Sequence, residues 1–542
     1  MLSYRKLAMR VLGRPLHTGG GIDLPRPASQ RAAALILTAA MLTTLAAPAF
    51  AETWYIENGD ITVKASGTEG KNTVSQGNKK DVEDTNTIIT NQKTDKASSN
   101  TVTIEANGKN DKVEVTLKDV NIDTSSRKKA AVSVTGEGDT NIKLNGDNAL
   151  KSDIYRSGIY GSGSLTISGG ENDSLTAQGG SGANGISSSG NLTISGGTVT
   201  ATGDDGGHGI YSRGGVTISG GSTVTANGES GTISGGSGIY SNGSVTISGG
   251  TVTAKGGSGE DGYGGDGIRS SSGGVTISGG TVTANGGNST NSSGGYGISS
   301  LDVAISGGTV TANGGDSKDG YGGDGIHSNG VTISGGTVNT TGGNGTNSNG
   351  GEGIYGRKGI DLSGSLELTA KAGSPNGKAL SQDGNELDLN TIKDKLGPGA
   401  KVTVTDANGE TKQVSIPRPV EPEKPVIPEE SSSSSDGGSS APSAPVSSIP
   451  GLTVTDKDGA VISYTSTQSG NTLTVCVGRF TASLRASLST LRQLRAEGIE
   501  TITFQTILCS TTLSVDELLA MGGEDAEAVL THRSTDSSLT VG

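Results

Sequence analysis

Only two cysteines, Cys476 and Cys509, occur in 542 residues, so neither a disulfide framework nor a thiolate metal site holds this chain together. Aromatic residues make up 3% and hydrophobic residues 30%, while glycine occurs 92 times; a conventional globular core of this length is therefore excluded. Two architectures remain, low-complexity disorder or a repeat fold. Beyond residue 51 no apolar run approaches the ~20 residues needed to span a bilayer. Basic charge is scarce as well. The formal charge is −13, and it becomes −18 without residues 1–51, which hold six basic residues and one acid. Such a chain, lacking clustered Lys and Arg, is a poor partner for nucleic acid or an anionic membrane surface.

What the chain does have begins at its amino terminus. A basic stretch (Arg5, Lys6, Arg10, Arg14, Arg26, Arg31) leads into the apolar run Ala32 to Ala47 and then Ala49-Phe50-Ala51, the pattern of an export signal cleaved after Ala51. Retention of the same segment as an anchor is the alternative. No cysteine follows the apolar run to carry a lipid. The expected location is secreted or on the extracellular cell surface.

The strongest signal is internal repetition. A Gly-Ile phrase recurs at Ile159, Ile186, Ile210, Ile239, Ile268, Ile298, Ile326 and Ile354, with spacings of 27, 24, 29, 29, 30, 28 and 28. Val/Leu-x-Ile-Ser-Gly-Gly follows it and gives the column Ile167, Ile194, Ile218, Ile247, Ile277, Ile305 and Ile333. Thr-Val-Thr-Ala adds Val199, Val224, Val252, Val282 and Val310. Each phrase alternates apolar with polar at period two and ends in Gly or Asn, which is the strand signature. One copy cannot bury its own apolar face, but copies stacked at the ~4.8 Å strand spacing form a continuous core. The expected fold is all-β, a parallel β-helix of about 28 residues and three strands per coil, right-handed as parallel crossovers are by default.

The expected organisation is a signal at 1–51, an amino-terminal cap with divergent first coils at 52–157, regular coils and a closing cap at 158–415, a Pro/Ser-rich linker at 416–450 and a small α+β module at 451–542. In that module strands are expected at Val461 to Thr465, Leu473 to Val477 and Thr501 to Leu508. A helix is expected to carry Leu484, Leu488, Leu491 and Leu494, with a second one capped at Ser514. Cys476 and Cys509 fall on expected strands, either paired or as two buried thiols.

Val113 to Ser152 (VEVTLKDVNIDTSSRKKAAVSVTGEGDTNIKLNGDNALKS), then SGIYGSGSLTISG and GGTVTATG, resemble the clostridial carbohydrate-binding β-helix family over roughly residues 100–370. That family is typified by a cell-surface polygalacturonate-binding protein. The resemblance implies a right-handed parallel β-helix, bound calcium and affinity for acidic plant polysaccharide without a requirement for catalysis. The loops here are longer and richer in glycine, and the carboxy-terminal module differs.

Two sets of residues are candidates for binding. Tyr160, Tyr211, Tyr240 and Tyr355 follow the Gly-Ile phrase and are expected to face outward, where a sugar ring could stack on them; cross-coil packing is the alternative. Two loops read Asp-Gly-Tyr-Gly-Gly-Asp-Gly-Ile and carry Asp261, Asp266, Asp319 and Asp324, two coils apart, with Asn- and Ser-rich loops between them. Hard oxygen ligands on a glycine-rich backbone suit calcium, which would bridge an acidic protein to a carboxylated sugar; the same residues also suit plain soluble turns. The outward Thr columns resemble those of ice-binding solenoids but are also ordinary strand residues. Arg213 and Arg269 are the only arginines placed for lyase chemistry, and His208 and His327 read as isolated, solvated residues. The expected function is thus non-catalytic binding of an acidic, polygalacturonate-like polysaccharide. A surface adhesin or spacer without a sugar site is the alternative, followed by a calcium-dependent pectate lyase. An autotransporter passenger is disfavoured, because no run of amphipathic barrel strands closes the sequence.

Overall fold

Each Gly-Ile phrase becomes a short strand whose isoleucine pairs in parallel with its equivalent one coil on, from Ile159 through to Ile354. The second and third phrases form two further parallel ladders in the same way. The result, in a computed structural model that describes residues 52–66, 70–417 and most of 451–541, is a β-solenoid of about 14 turns with about 28 residues per coil. The expected export signal at 1–51, nearly all of the expected linker at 416–450, and Cys509 lie outside the described residues.

All eight isoleucines of the Gly-Ile column are 0% exposed, so each coil completes the core of the next. Backbone pairing is reinforced by a column of buried serines one strand position inside the turn. Ser212, Ser241 and Ser270 donate to Gly190 O, Gly214 O and Gly243 O of the preceding coil at 2.8–2.9 Å. The second glycine of Ile-Ser-Gly-Gly meets a backbone demand: Gly250, Gly280, Gly308 and Gly336 all have φ between +81° and +83°, the left-handed region.

In the last three copies the first two phrases fuse into single strands, Ile298–Ile305, Ile326–Ile333 and Ile354–Leu362. The expectation of three separate strands per coil fails there: in the first two the connector is one residue shorter, Ile298 to Val303 and Ile326 to Val331 against Ile239 to Val245, and in the third the extra residue is absorbed by a register shift where Ser328 and Gly330 pair with Gly356 and Gly359. Coils begin well before the regular repeat. Thr53–Tyr55 pairs with Ile88–Thr90, and Ile61–Ala65 with Val102–Ala106, in the same parallel sense. Two antiparallel strands, Asn72–Gln76 and Lys79–Asp84, cover this end, and buried Trp54 donates its indole N–H to Asp84 Oδ2 at 2.8 Å. At the other end Thr411–Ser415 runs antiparallel to Lys401–Thr405 and finishes the third ladder.

Residues 451–541 have a separate apolar core, two four-stranded sheets and the helices α1 (Leu488–Ala496) and α2 (Val515–Met521). Leu484 is not helical as expected. Thr481–Ser487 alternates buried and exposed residues as a strand does, and the Ser487 hydroxyl accepts the Thr490 N–H, which starts α1 at Leu488. Val461 makes only an isolated bridge to Thr455, and the strand runs from Thr465 to Ser469. No helix among the described residues is long and apolar enough to cross a membrane.

Candidate functional site

The residue after each Gly-Ile isoleucine points away from the core, and parallel register stacks these residues into one outward column: Ser133, Tyr160, Ser187, Tyr211, Tyr240, Arg269, Ser299, His327, Tyr355. A second column lies three residues earlier in each coil and contributes His208, Asp266, Tyr296, Asp324 and Glu352, as the hydrogen bonds from Gly238 N to Asp266 O, Gly267 N to Tyr296 O and Gly297 N to Asp324 O show. Tyr211, Tyr240 and His208 stack with centroids 4.9–5.8 Å apart. The Arg269 guanidinium lies 5.7 Å from the Tyr240 ring centre. Further along, Tyr296, His327 and Tyr355 form a second stack at 4.3 and 4.8 Å.

The aspartates beside these stacks act on the stacks. Asp266 accepts the Tyr296 N–H at 2.8 Å through Oδ1 and an Arg269 N–H at 3.2 Å through Oδ2. Asp324 repeats the device, accepting Glu352 N–H at 2.7 Å and lying 2.6 Å from His327 Nδ1. Both carboxylates are about 95% buried, with each oxygen already engaged by one partner, which sets them apart from open surface ligands. Asp261 and Asp319 are exposed, each bonded to an asparagine one coil on, Asn291 at 2.9 Å and Asn347 at 2.7 Å. The four aspartates thus divide into two buried and two exposed. Among the described residues no group of three or more His, Cys, Asp or Glu is arranged to hold a metal ion.

His208 and His327 are not the solvated, isolated residues expected. Burial, then the charge of Arg269, pushes the His208 imidazole down to about 4, and its Nδ1 accepts the Ser237 N–H at 2.8 Å, so near pH 7 it is neutral with its proton on Nε2. Burial, then the hydrogen bond and charge of Asp324, pushes the Glu352 carboxyl up to about 8. Burial followed by the charges of Asp324 and Asp266 raises the Tyr296 hydroxyl. The repeated phrases Asp-Gly-Ile-Arg and Asp-Gly-Ile-His were the sequence signal for these pairs.

Stacking turns at least one face of Tyr211, Tyr240 and Tyr355 against a neighbour, and all three are half-buried. Tyr160 is different. It is 43% exposed, stacks on no other ring among the described residues, and lines a cleft of roughly 530 Å³ with Tyr155, Lys128, Lys129 and Arg156. Lys129 and Arg127 both pair with Asp60 at 2.9 Å; among the described residues Lys128 and Arg156 have no ion pair. Burial opposes the charge on Asp60, but Lys129, the Thr101 N–H and Arg127 outweigh it and hold the carboxyl low. A concentration of cations in so acidic a chain is a local inversion of charge.

The corner that forms this cleft is strained. In four successive coils the residue four positions before the Gly-Ile isoleucine or its equivalent has left-handed backbone: Lys128 φ +55°, Tyr155 +59°, Gly182 +74°, Gly206 +78°. The next two coils meet that demand with glycine, whereas the two cleft coils use Lys and Tyr at about 1–2 kcal/mol each. Asp153, 8% exposed, holds the corner by accepting the Lys128 and Ile154 N–H groups at 2.6 Å each. Strain of this kind collects at functional sites. Lys128 and Tyr155 stand one coil apart in sequence, but nothing in that spacing alone marked them as neighbours in a cleft.

Fold and surface together define a repeat solenoid with an aromatic and cationic face. Residues 96–350 match the model of a family described as carbohydrate-binding domain-containing protein, over much the same stretch in which the sequence resembles the clostridial carbohydrate-binding β-helix family. No curated protein and no solved structure matches the chain.

Proposed function

We propose that this is an exported, non-catalytic protein that binds a carboxylated polysaccharide at the cleft between Lys128 and Ser187. The observation that carries the reading is the cleft's composition: exposed Tyr155 and Tyr160 offer apolar ring faces, and Lys128 and Arg156, without an ion pair among the described residues, offer charge to a uronate in a chain otherwise strongly acidic. The family description of residues 96–350 names carbohydrate binding. Of the two arginines considered for lyase chemistry, Arg269 is engaged by Asp266 and Tyr240, and Arg213 is exposed in the bend just after the strand Ile210–Ser212 rather than on the strand. The signal read at residues 1–51 gives the route out of the cell.

The test is retardation of the full-length protein in gels containing polygalacturonate or a neutral glycan. Polygalacturonate should retard the native protein, more weakly at high salt, and Lys128→Ala with Arg156→Ala should weaken this at least about tenfold with Tm unchanged. Equal retardation by native and doubly substituted protein would overturn the reading. Because the charge is supplied by side chains, a chelator should change nothing; loss of retardation with chelator would instead favour calcium at Asp261 and Asp319.

A further inference from the structure

Away from the cleft, the two loops that read Asp-Gly-Tyr-Gly-Gly-Asp present Tyr263 and Tyr321, 64% and 59% exposed, with no ring stacked on either among the described residues. Backbone bonds fix their register: Gly264 N donates to Ser293 O and Gly294 N to Tyr321 O, which puts the tyrosines at equivalent positions two coils, or ~10 Å, apart. The glycines on either side are required. A Cβ on Gly262 would meet Ile233 O at 2.0 Å and one on Gly264 would meet Gly287 O at 1.9 Å; Gly320 and Gly322 are blocked at 2.4 and 2.0 Å. The only side chain each loop can present at this point is therefore the outward tyrosine, on a backbone bonded to the coils on both sides. The intervening coil carries Ser293, too small to obstruct a chain lying across both rings.

We infer that Tyr263 and Tyr321 form a second glycan platform, which takes an extended, neutral, β-linked polysaccharide running along the solenoid axis, with alternate sugar rings on the two tyrosines. The two-coil spacing is close to the disaccharide repeat of such a chain, and an aromatic ring suits the apolar face of a pyranose. The flanks fit hydroxyl groups and repel carboxylates. Asp261 and Asp319 each use one oxygen on an asparagine and keep the other toward solvent, and Glu260 and Asp316 add negative charge against the single Lys318. The platform is therefore complementary to the cationic cleft in ligand charge. The inference rests on the carbohydrate-binding reading but not on the cleft.

The experiment titrates full-length protein by calorimetry with cellohexaose, xylohexaose and hexagalacturonate. The native protein should bind at least one neutral hexaose. Tyr263→Ala with Tyr321→Ala should lose that binding at least about tenfold and keep hexagalacturonate, whereas Tyr263→Phe with Tyr321→Phe should retain both. Lys128→Ala with Arg156→Ala should do the reverse of the alanine pair. No neutral binding by native protein, or neutral binding equal in the Tyr→Ala pair, overturns the platform; loss of hexagalacturonate alone bears on the cleft.

Discussion

The regular coils from Gly158 onward and the divergent coils before them share one core but divide the work differently. In the regular coils Ile, Val and Ser columns repeat, left-handed corners are mostly glycine, and the outward aromatics beside the Gly-Ile phrase at Tyr211, Tyr240, Tyr296 and Tyr355 pack on one another or on a histidine. The divergent coils keep the buried columns yet fill two left-handed corners with Lys128 and Tyr155, gather cations without ion pairs among the described residues and, with Tyr160 of the first regular coil, form a cleft whose tyrosines have no stacking partner among the described residues. Regularity stabilises a solenoid cooperatively through its neighbours; the departure from it is where stability was traded for side chains that a ligand can reach.

That contrast can be broken first in the core. Ile268→Ala removes a 0%-exposed side chain from the Gly-Ile column and should cost about 2–5 kcal/mol by denaturant unfolding. A loss below about 1 kcal/mol would mean that the regular coils are looser than their packing implies.

The corner should respond in the opposite direction. Replacing Lys128 by Gly relieves left-handed strain and should stabilise the fold by up to about 1 kcal/mol while weakening carboxylated-glycan binding. If the variant were instead less stable, Lys128 would be a structural residue and the strain argument would fail.

The smallest effect distinguishes the two aromatic stacks. Glu352 is held protonated up to about 8 against an ordinary 4.5, so the native state binds the extra proton; the stability this gives is complete below 4.5 and is lost as pH rises through 8. His208 is depressed to about 4 from 6.5, so its contribution is present above 6.5 and is lost as pH falls toward 4. Tm measured from pH 5 to 9 should fall less in Glu352→Gln than in the native protein, whereas His208→Gln should flatten only the acid side. Identical profiles for all three proteins would dissociate both groups from folding.

Much of the fold was legible because a solenoid core needs the same apolar residue at the same place in every coil, and a period-two phrase repeated every 28 residues or so can be read directly from the chain. The outward tyrosines were legible for the same reason, since they follow the Gly-Ile phrase. Their packing was not: whether Tyr240 faces a sugar or Tyr211 and His208 depends on what the adjacent coil places at that level. Asp266 and Asp324 looked like open oxygen ligands because their loops are acidic and glycine-rich, but register delivers the next coil's N–H to one oxygen and the Arg269 or His327 side chain to the other. Leu484 was misplaced because Leu484, Leu488, Leu491 and Leu494 keep helical spacing across a true boundary, the Ser487 cap.

The sequence by itself determined the repeat, its strand character, the acidity of the chain and the glycine corners, since each is a property of residue order and backbone sterics. Tertiary structure alone decided which rings are covered, which carboxylates are occupied and that Lys128, Arg156, Tyr155 and Tyr160 share one cleft. Those facts depend on contacts between coils roughly 28 residues apart, and such contacts exist only once the coils are stacked.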